Sequence, residues 1–328
     1  MKHGGDLTEA IARHGGAPGS WLDLSTGINP WPWPIPQHLP EGIWQRLPSR
    51  AETKALLDAA RKTYGAPGGA GIVAAAGTQA LIQLLPYLAV PGPVAIVGPT
   101  YGEHALAWRN AGHPVIAIDN LDACPDSAIH AVVVNPNNPD GRVTDCAALT
   151  RIAAQLRGGG GWLVVDEAFS DVDPAISAIA MCPDRPVVIL RSFGKFYGLA
   201  GLRLGFAIGA PDTIGRISAA LGPWPCSGPA LLIGTAALGD QPWADHTRGK
   251  LEQQARKLDQ VLGNAGLTIA GGTPLFRLAR HPHAPKLHVA LARRHIWCRS
   301  FDWADDLLRF GLSPDDVGLD RLAAALRD

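Results

Sequence analysis

Seven short apolar runs fill the middle of this chain, and they constrain the fold more than any other feature. They lie at 72–76, 94–97, 115–118, 131–135, 162–166, 187–191 and 204–208. Most are rich in β-branched residues, and all are nearly continuous in hydrophobicity. A strand with one face in water alternates apolar and polar side chains, so a strand without alternation is one covered on both faces. Helical segments separate several of the runs, at 79–88, 102–111 and 145–156. Thr144 is the expected N-cap of the last, which runs out into the glycines of 158–161. Alternation of strand and helix predicts an α/β domain with a mainly parallel, helix-covered sheet.

Outside residues 46–222 the character changes. The run Pro-Trp-Pro-Trp-Pro-Ile-Pro at 30–36 suits neither helix nor central strand, because proline has no amide donor. Residues 249–263 read as an amphipathic helix, and 287–326 mix strand-like pieces with a closing helix at 320–326. The expected organisation is a large domain at 46–222 and a smaller α+β domain from 1–45 and 223–328, including an N-terminal arm. No internal repeat is evident.

The chain has 328 residues, with 29 Lys+Arg against 29 Asp+Glu. A nucleic-acid binder carries a basic excess, and none is present. The five cysteines (Cys124, Cys146, Cys182, Cys226, Cys298) never form a C-x-x-C pair, which fits reduced thiols and no zinc framework. Prolines interrupt the histidines at 281, 283 and 288, a pattern of a solvated loop more than of a metal site. The start of the chain lacks a secretory pattern, and the apolar stretches 72–90 and 187–209 are broken by Gly, Pro and charge. The expectation is a cytoplasmic protein with no membrane or nucleic-acid partner.

Four segments carry chemistry. Lys195 lies in Ser-Phe-Gly-Lys-Phe-Tyr-Gly, just after an apolar strand, where ligands of α/β sheets collect. Burying an unpaired ammonium costs several kcal/mol or forces it neutral, and a neutral amine is the Schiff-base nucleophile. Taken alone, the lysine is equally a solvated loop residue. Asp166 ends the strand in Val-Val-Asp-Glu-Ala-Phe and could hold a proton on a heterocyclic nitrogen. Asp-Glu after a strand also marks metal sites of nucleotide hydrolases, but the chain has no G-x-x-x-x-G-K-[ST] loop. Asn-Pro-Asn-Asn-Pro-Asp-Gly at 135–141 is turn chemistry in its own right. Ala76-Gly77-Thr78-Gln79 opens a helix, where backbone amides and the helix dipole favour an anion.

These four, in this order, resemble the fold-type I enzymes dependent on pyridoxal 5′-phosphate (PLP), the aspartate-aminotransferase superfamily, over roughly 70–210. The resemblance implies Lys195 as the Schiff-base lysine and proton shuttle, Asp166 on the pyridine nitrogen and Asn138 on the cofactor's phenolic oxygen. Gly77, Thr78, Gln79, Ser192 and Arg203 would cradle the phosphate, Tyr101 would stack on the ring, and His104 would stand behind Asp166. Arg309, in Leu-Leu-Arg-Phe-Gly-Leu, resembles the arginine that grips the substrate α-carboxylate. A homodimer is implied as well. Three positions depart from the pattern: Phe169 where many relatives have Tyr, Leu47-Pro48 where many have Tyr-Pro, and Gly194 where Ser or Thr is common.

Within the superfamily the chain is similar to the histidinol-phosphate aminotransferase-like branch, and there to the threonine-phosphate decarboxylases of cobalamin biosynthesis. The likeness rests on His3-Gly4-Gly5, on residues 22–30 (Leu-Asp-Leu-Ser-Thr-Gly-Ile-Asn-Pro) and on residues 195–205. It implies decarboxylation of a phosphorylated amino acid, with His3 and Arg299 as partners of the substrate phosphate. An aminotransferase is the alternative, and a non-catalytic PLP-fold module a second.

Overall fold

A computed structural model describes residues 4–327. The strands, in chain order, are β1 (Leu22–Leu24), β2 (Gly71–Ala75), β3 (Val94–Val97), β4 (Val115–Ile118), β5 (His130–Val134), β6 (Leu163–Asp166), β7 (Val187–Ser192), β8 (Gly205–Gly209), β9 (Thr268–Thr273), β10 (Phe276–Arg280), β11 (Ile296–Phe301) and β12 (Ala304–Gly311). The chain divides into two compact units. One comprises 32–138 and 143–244; the other comprises the described residues before 32, the segment 139–142 and the chain from 245 onward.

The first unit is built on a seven-stranded sheet in the order β2-β8-β7-β6-β5-β3-β4. Only β8 runs antiparallel to its neighbours in this sheet. The seven strands fall within a residue or two of the seven apolar runs. β5, β6, β7 and β8 are buried at every position, as their lack of alternation requires. Leu81, Ile82 and Leu85 of the helix Thr78–Leu88, and Trp108 of the helix Glu103–Asn110, close over Val73, Ile96, Val164 and Leu190. Each such side chain contributes about 1.5–3 kcal/mol by leaving water.

Two local expectations are corrected here. The helix after the 135–141 turn is Cys146–Arg157, and its cap is Asp145, whose Oδ1 accepts from Ala148 N at 2.7 Å. Thr144 is engaged elsewhere: its amide donates to Asn135 Oδ1 at 2.9 Å and its carbonyl accepts from Asn135 Nδ2. The helix expected at 249–263 runs Gln241–Asn264. It begins where Asp240 Oδ1 accepts from Trp243 N at 3.1 Å, and Pro242 is tolerated because a first turn needs no amide donor.

The sequence reading placed borders at 45/46 and 222/223; the compact units meet at 31/32 and 244/245. Helix Gly228–Gly239 packs on helix Arg50–Tyr64 within the first unit. A side chain at Gly234 would strike Leu56 and Leu204.

The second unit carries a five-stranded sheet, β1-β11-β12-β10-β9, antiparallel except for the β1–β11 pair. Segment 139–142 is part of this unit: Gly272 N donates to Asp140 O at 2.8 Å. Gly141, at φ +73°, lies so close that a Cβ would be 2.0 Å from Gly272 O. The closing helix is Asp316–Arg327, longer than expected at 320–326. Gly318 masks its start in the sequence, yet a Cβ there would meet Ser313 Oγ at 2.1 Å. Among the described residues no helix is long and apolar enough to cross a membrane.

Candidate active site

The topology of the first unit gathers the chemistry at one sheet edge. Strands β3, β5, β6 and β7 are parallel, so the segments leaving their C-terminal ends lie together: Tyr101 after β3, Asn138 after β5, Asp166 at the end of β6, and Ser192 and Lys195 at and after β7. β2 is antiparallel to β8 and β8 to β7, so Gly77–Gln79 after β2 and Arg203 before β8 reach the same edge. Chain order reverses between β3 and β5, the switch point where such sheets open a crevice. There the structure has a cleft lined by Gly77, Thr78, Gln79, Tyr101, Asn138, Asp166, Ser192, Lys195 and Arg203 among others.

One end of the cleft is built for an anion. Gly77 has φ +83° and caps the helix Thr78–Leu88 without any side-chain acceptor for its first amides. The first amides and the helix dipole suit a phosphate. The Arg203 guanidinium lies over Gly77, where a Cβ would be 2.7 Å from Nη2. Arg203 itself is held at φ +55°, an uncommon conformation for a side-chain-bearing residue. Gly205 is equally constrained, since a Cβ there would stand 2.6 Å from Thr78 N. Ser192 adds a buried hydroxyl.

Asp166 is buried in the same cleft and meets His104, also buried, with Nε2 to Oδ2 at 2.9 Å. Its other oxygen accepts from Ala168 N at 3.1 Å. The histidine is thus where the sequence places it, behind the aspartate. Lys195 is half-buried and lines the cleft, with Nζ 5.8 Å from the centre of the Phe169 ring. Asn138 lines it too, after a turn braced by Thr100 Oγ1 donating to Asn137 Oδ1 at 2.6 Å and Asn137 Nδ2 to Pro99 O at 3.0 Å. An anion cradle, a carboxylate and an amine in one cleft form the donor set that PLP requires. The departure at Gly194 has a steric cause: a Cβ would come 2.8 Å from Ala200 Cα. Phe169 lines the cleft with a ring and no hydroxyl.

Two supporting groups escaped sequence reasoning. Glu103 is buried and accepts from Gln79 Nε2 at 2.8 Å. Arg191, next to Ser192, is buried with Glu167, next to Asp166. Their ion pair spans 2.8 Å, and Arg191 also pairs with Asp171. Glu167 is further held by Ser177 Oγ at 2.6 Å and Ala178 N at 2.7 Å. Burial works against the Arg191 charge, but Asp171 and Glu167 outweigh it and hold the guanidinium protonated. Charges at the end of one apolar strand (Arg191) and just past another (Glu167) were the available signal, as buried charges must be matched.

In the second unit, Arg299 of β11 and Arg309 of β12 are direct cross-strand partners. Arg309 is buried and donates through Nη2 to Ser25 O at 2.7 Å. Burial first, and then the Arg299 charge, push it down to about 10, with Asp23 opposing. Arg299 lines a small cavity with Gly4, Asp6, Ser25, His288 and Ser300. The two discriminating sequence motifs meet here: Gly5 N donates to Ser25 Oγ at 2.9 Å, and a Cβ on Gly4 would lie 2.4 Å from Ser25 O. His3 lies outside the described residues. His288 bonds Cys298 O at 3.1 Å, and no cluster of three metal-ligating side chains occurs among the described residues.

Comparison with known proteins gives matches along the chain. The family model for aminotransferase class I and II matches residues 53–326. The chain is 46% identical to a threonine-phosphate decarboxylase of a Sinorhizobium species and 44% identical to one of Pseudomonas aeruginosa, each over 99% of this chain and 97% of the relative. A histidinol-phosphate aminotransferase of Rhodopirellula baltica is 26% identical, over 91% of this chain and 87% of its own. The solved histidinol-phosphate aminotransferase of Clostridium acetobutylicum superposes with a TM-score of 0.81 at 21% identity, covering 93% of this chain and 98% of that one.

Proposed function

Because the chain belongs to the aminotransferase class I and II family, we propose that it is a PLP-dependent enzyme that decarboxylates O-phospho-L-threonine to (R)-1-aminopropan-2-yl phosphate, in cobalamin biosynthesis. One observation carries the choice of a doubly anionic amino acid. Arg299 and Arg309 are direct partners on adjacent strands, so two cations stand side by side on one sheet, a pairing that suits a substrate with two anionic groups. Kinship favours decarboxylation over amino transfer, since both threonine-phosphate decarboxylases match over nearly the whole chain.

Bound PLP supplies an electron sink for the pair left on the α-carbon when carbon dioxide departs. The chain's residues do the rest. Lys195 holds the cofactor through Nζ and moves a proton at the substrate α-carbon. Asp166, with His104 at 2.9 Å behind it, keeps a proton on the ring nitrogen. Asn138 donates to the phenolic oxygen, Tyr101 stacks on the ring, and Gly77, Thr78, Gln79, Ser192 and Arg203 hold the phosphate. Arg309 takes the substrate carboxylate; Arg299, with His3, takes the substrate phosphate. By holding both anionic groups of the substrate, the two arginines would fix its orientation in the site, and orientation selects the reaction.

We further propose a cytoplasmic homodimer. Trp44, Leu47 and Trp224 are exposed, and Trp224 lines an apolar groove with Pro48, Leu57, Ile72 and Leu231. Large apolar side chains left in water support an association face, and sedimentation reads it directly.

The test is incubation of PLP-loaded protein with O-phospho-L-threonine while carbon dioxide is followed, with no keto acid present. The Lys195→Ala variant is expected to lose both the visible cofactor band and turnover. Turnover that requires 2-oxoglutarate and releases no carbon dioxide would reassign the chain to amino transfer. A PLP-bound protein inert to phosphorylated amino acids would mark a non-catalytic module.

A further inference from the structure

Glu103 lies one layer behind the cleft, buried but not lining it. Its Oε2 accepts from Gln79 Nε2 at 2.8 Å and from Gln83 Nε2 at 3.3 Å. A carboxylate can only accept, so the NH₂ of Gln79 must face Glu103. The Gln79 carbonyl Oε1 is thereby turned to the Tyr101 hydroxyl, which donates to it at 3.1 Å. Without a fixed acceptor at 103, the terminal amide torsion is broad and roughly two-fold. Half a turn would present NH₂ to the phenol oxygen and reverse that bond, leaving the Tyr101 hydroxyl without its acceptor on Gln79.

We propose that Glu103 is a positioning residue: it sets the polarity of the Gln79–Tyr101 hydrogen bond and through it the seating of the Tyr101 ring in the cleft. This rests on the reading of the cleft as the PLP site. The next residue does the same job on the other wall, since His104 holds Asp166 at 2.9 Å. Two consecutive residues in the first turn of the helix Glu103–Asn110 therefore brace two site residues that come from different elements.

A competing account is that Glu103 merely cross-links the helices Thr78–Leu88 and Glu103–Asn110. A double-mutant cycle separates the two, read as the PLP dissociation constant and the visible circular dichroism of bound PLP. Wild-type protein that binds no PLP would sink the cofactor reading itself, whatever the variants do. Given wild-type binding, Glu103→Met, nearly isosteric and unable to accept, is expected to weaken PLP about five- to tenfold and alter the dichroic band, the worth of one hydrogen bond. Tyr101→Phe should give a similar loss, and the double variant no more than either single one. Glu103→Gln, whose amide oxygen still accepts from Gln79, should stay within about twofold of wild type. Gln83→Leu, which removes the other cross-link, should lower Tm and leave dichroism unchanged. Additive losses in the double variant, or a Glu103→Met protein with lowered Tm but wild-type affinity and dichroism, would overturn the proposal. If Glu103→Met is not recovered folded, Glu103→Ala enters the same cycle.

Discussion

Arg309 is a buried cation, 7% exposed, that works against the stability of its own sheet. Its ordinary value of 12.5 falls to about 10 through burial and then through Arg299. Folded and unfolded chains both carry the charge below pH 10, so the cost is fully present at neutral pH. It is relieved only as pH rises from about 10 through 12.5. A shift of that size corresponds to about 3 kcal/mol. Replacing Arg309 by methionine removes the charge and keeps an unbranched chain over the Phe276 ring, where the guanidinium carbon stands 5.1 Å from the centroid. The bond to Ser25 O is lost, at about 1 kcal/mol. The unliganded variant is therefore expected to be about 2 kcal/mol more stable, a rise of roughly 5 °C in Tm for a unit of this size. Calorimetry at neutral pH in a phosphate-free buffer measures it. Adding O-phospho-L-threonine should then raise the wild-type Tm more than that of the variant, since the carboxylate has lost its partner while Arg299 still takes the phosphate. A variant that melts below wild type without ligand would refute the reasoning and make Arg309 a structural side chain.

Arg191→Leu leaves Glu167 and Asp171 buried without their cation and should cost about 3–5 kcal/mol in urea denaturation. Adding Glu167→Gln with Asp171→Asn should recover most of the loss. Gly194→Ser, although it adds a hydroxyl, should weaken PLP binding in equilibrium dialysis, because its Cβ collides with Ala200 Cα at a cost of about 1–3 kcal/mol. Thiol titration at pH 8 should find Cys146 fast and Cys124 slower. Cys182 and Cys226, pushed up to about 12 by burial, and Cys298, raised further, should stay silent until the chain unfolds.

The sequence by itself determined the seven strands, because a strand buried on both faces leaves a local signature that no partner need supply. Four motifs, taken together as a family resemblance, named Lys195, Asp166, Asn138 and Gly77–Gln79, which line one cleft because a parallel sheet brings the segments after its strands to one edge. Local chemistry was less decisive at element borders. Thr144 and Asp145 are both good caps, and only the competing claim of Asn135 on Thr144 gave the helix to Asp145. What the tertiary structure alone decided were relations between distant residues. The hold of Glu103 on Gln79, the sharing of Arg191 by Glu167 and Asp171, and the close approach of Ala200 that forbids a side chain at 194 have no period or spacing to betray them. The same is true of Arg299 opposite Arg309. A one-residue slip in the register of β11 on β12 would leave the sequence unchanged and part the two guanidiniums, because register is a property of the pairing and not of either strand.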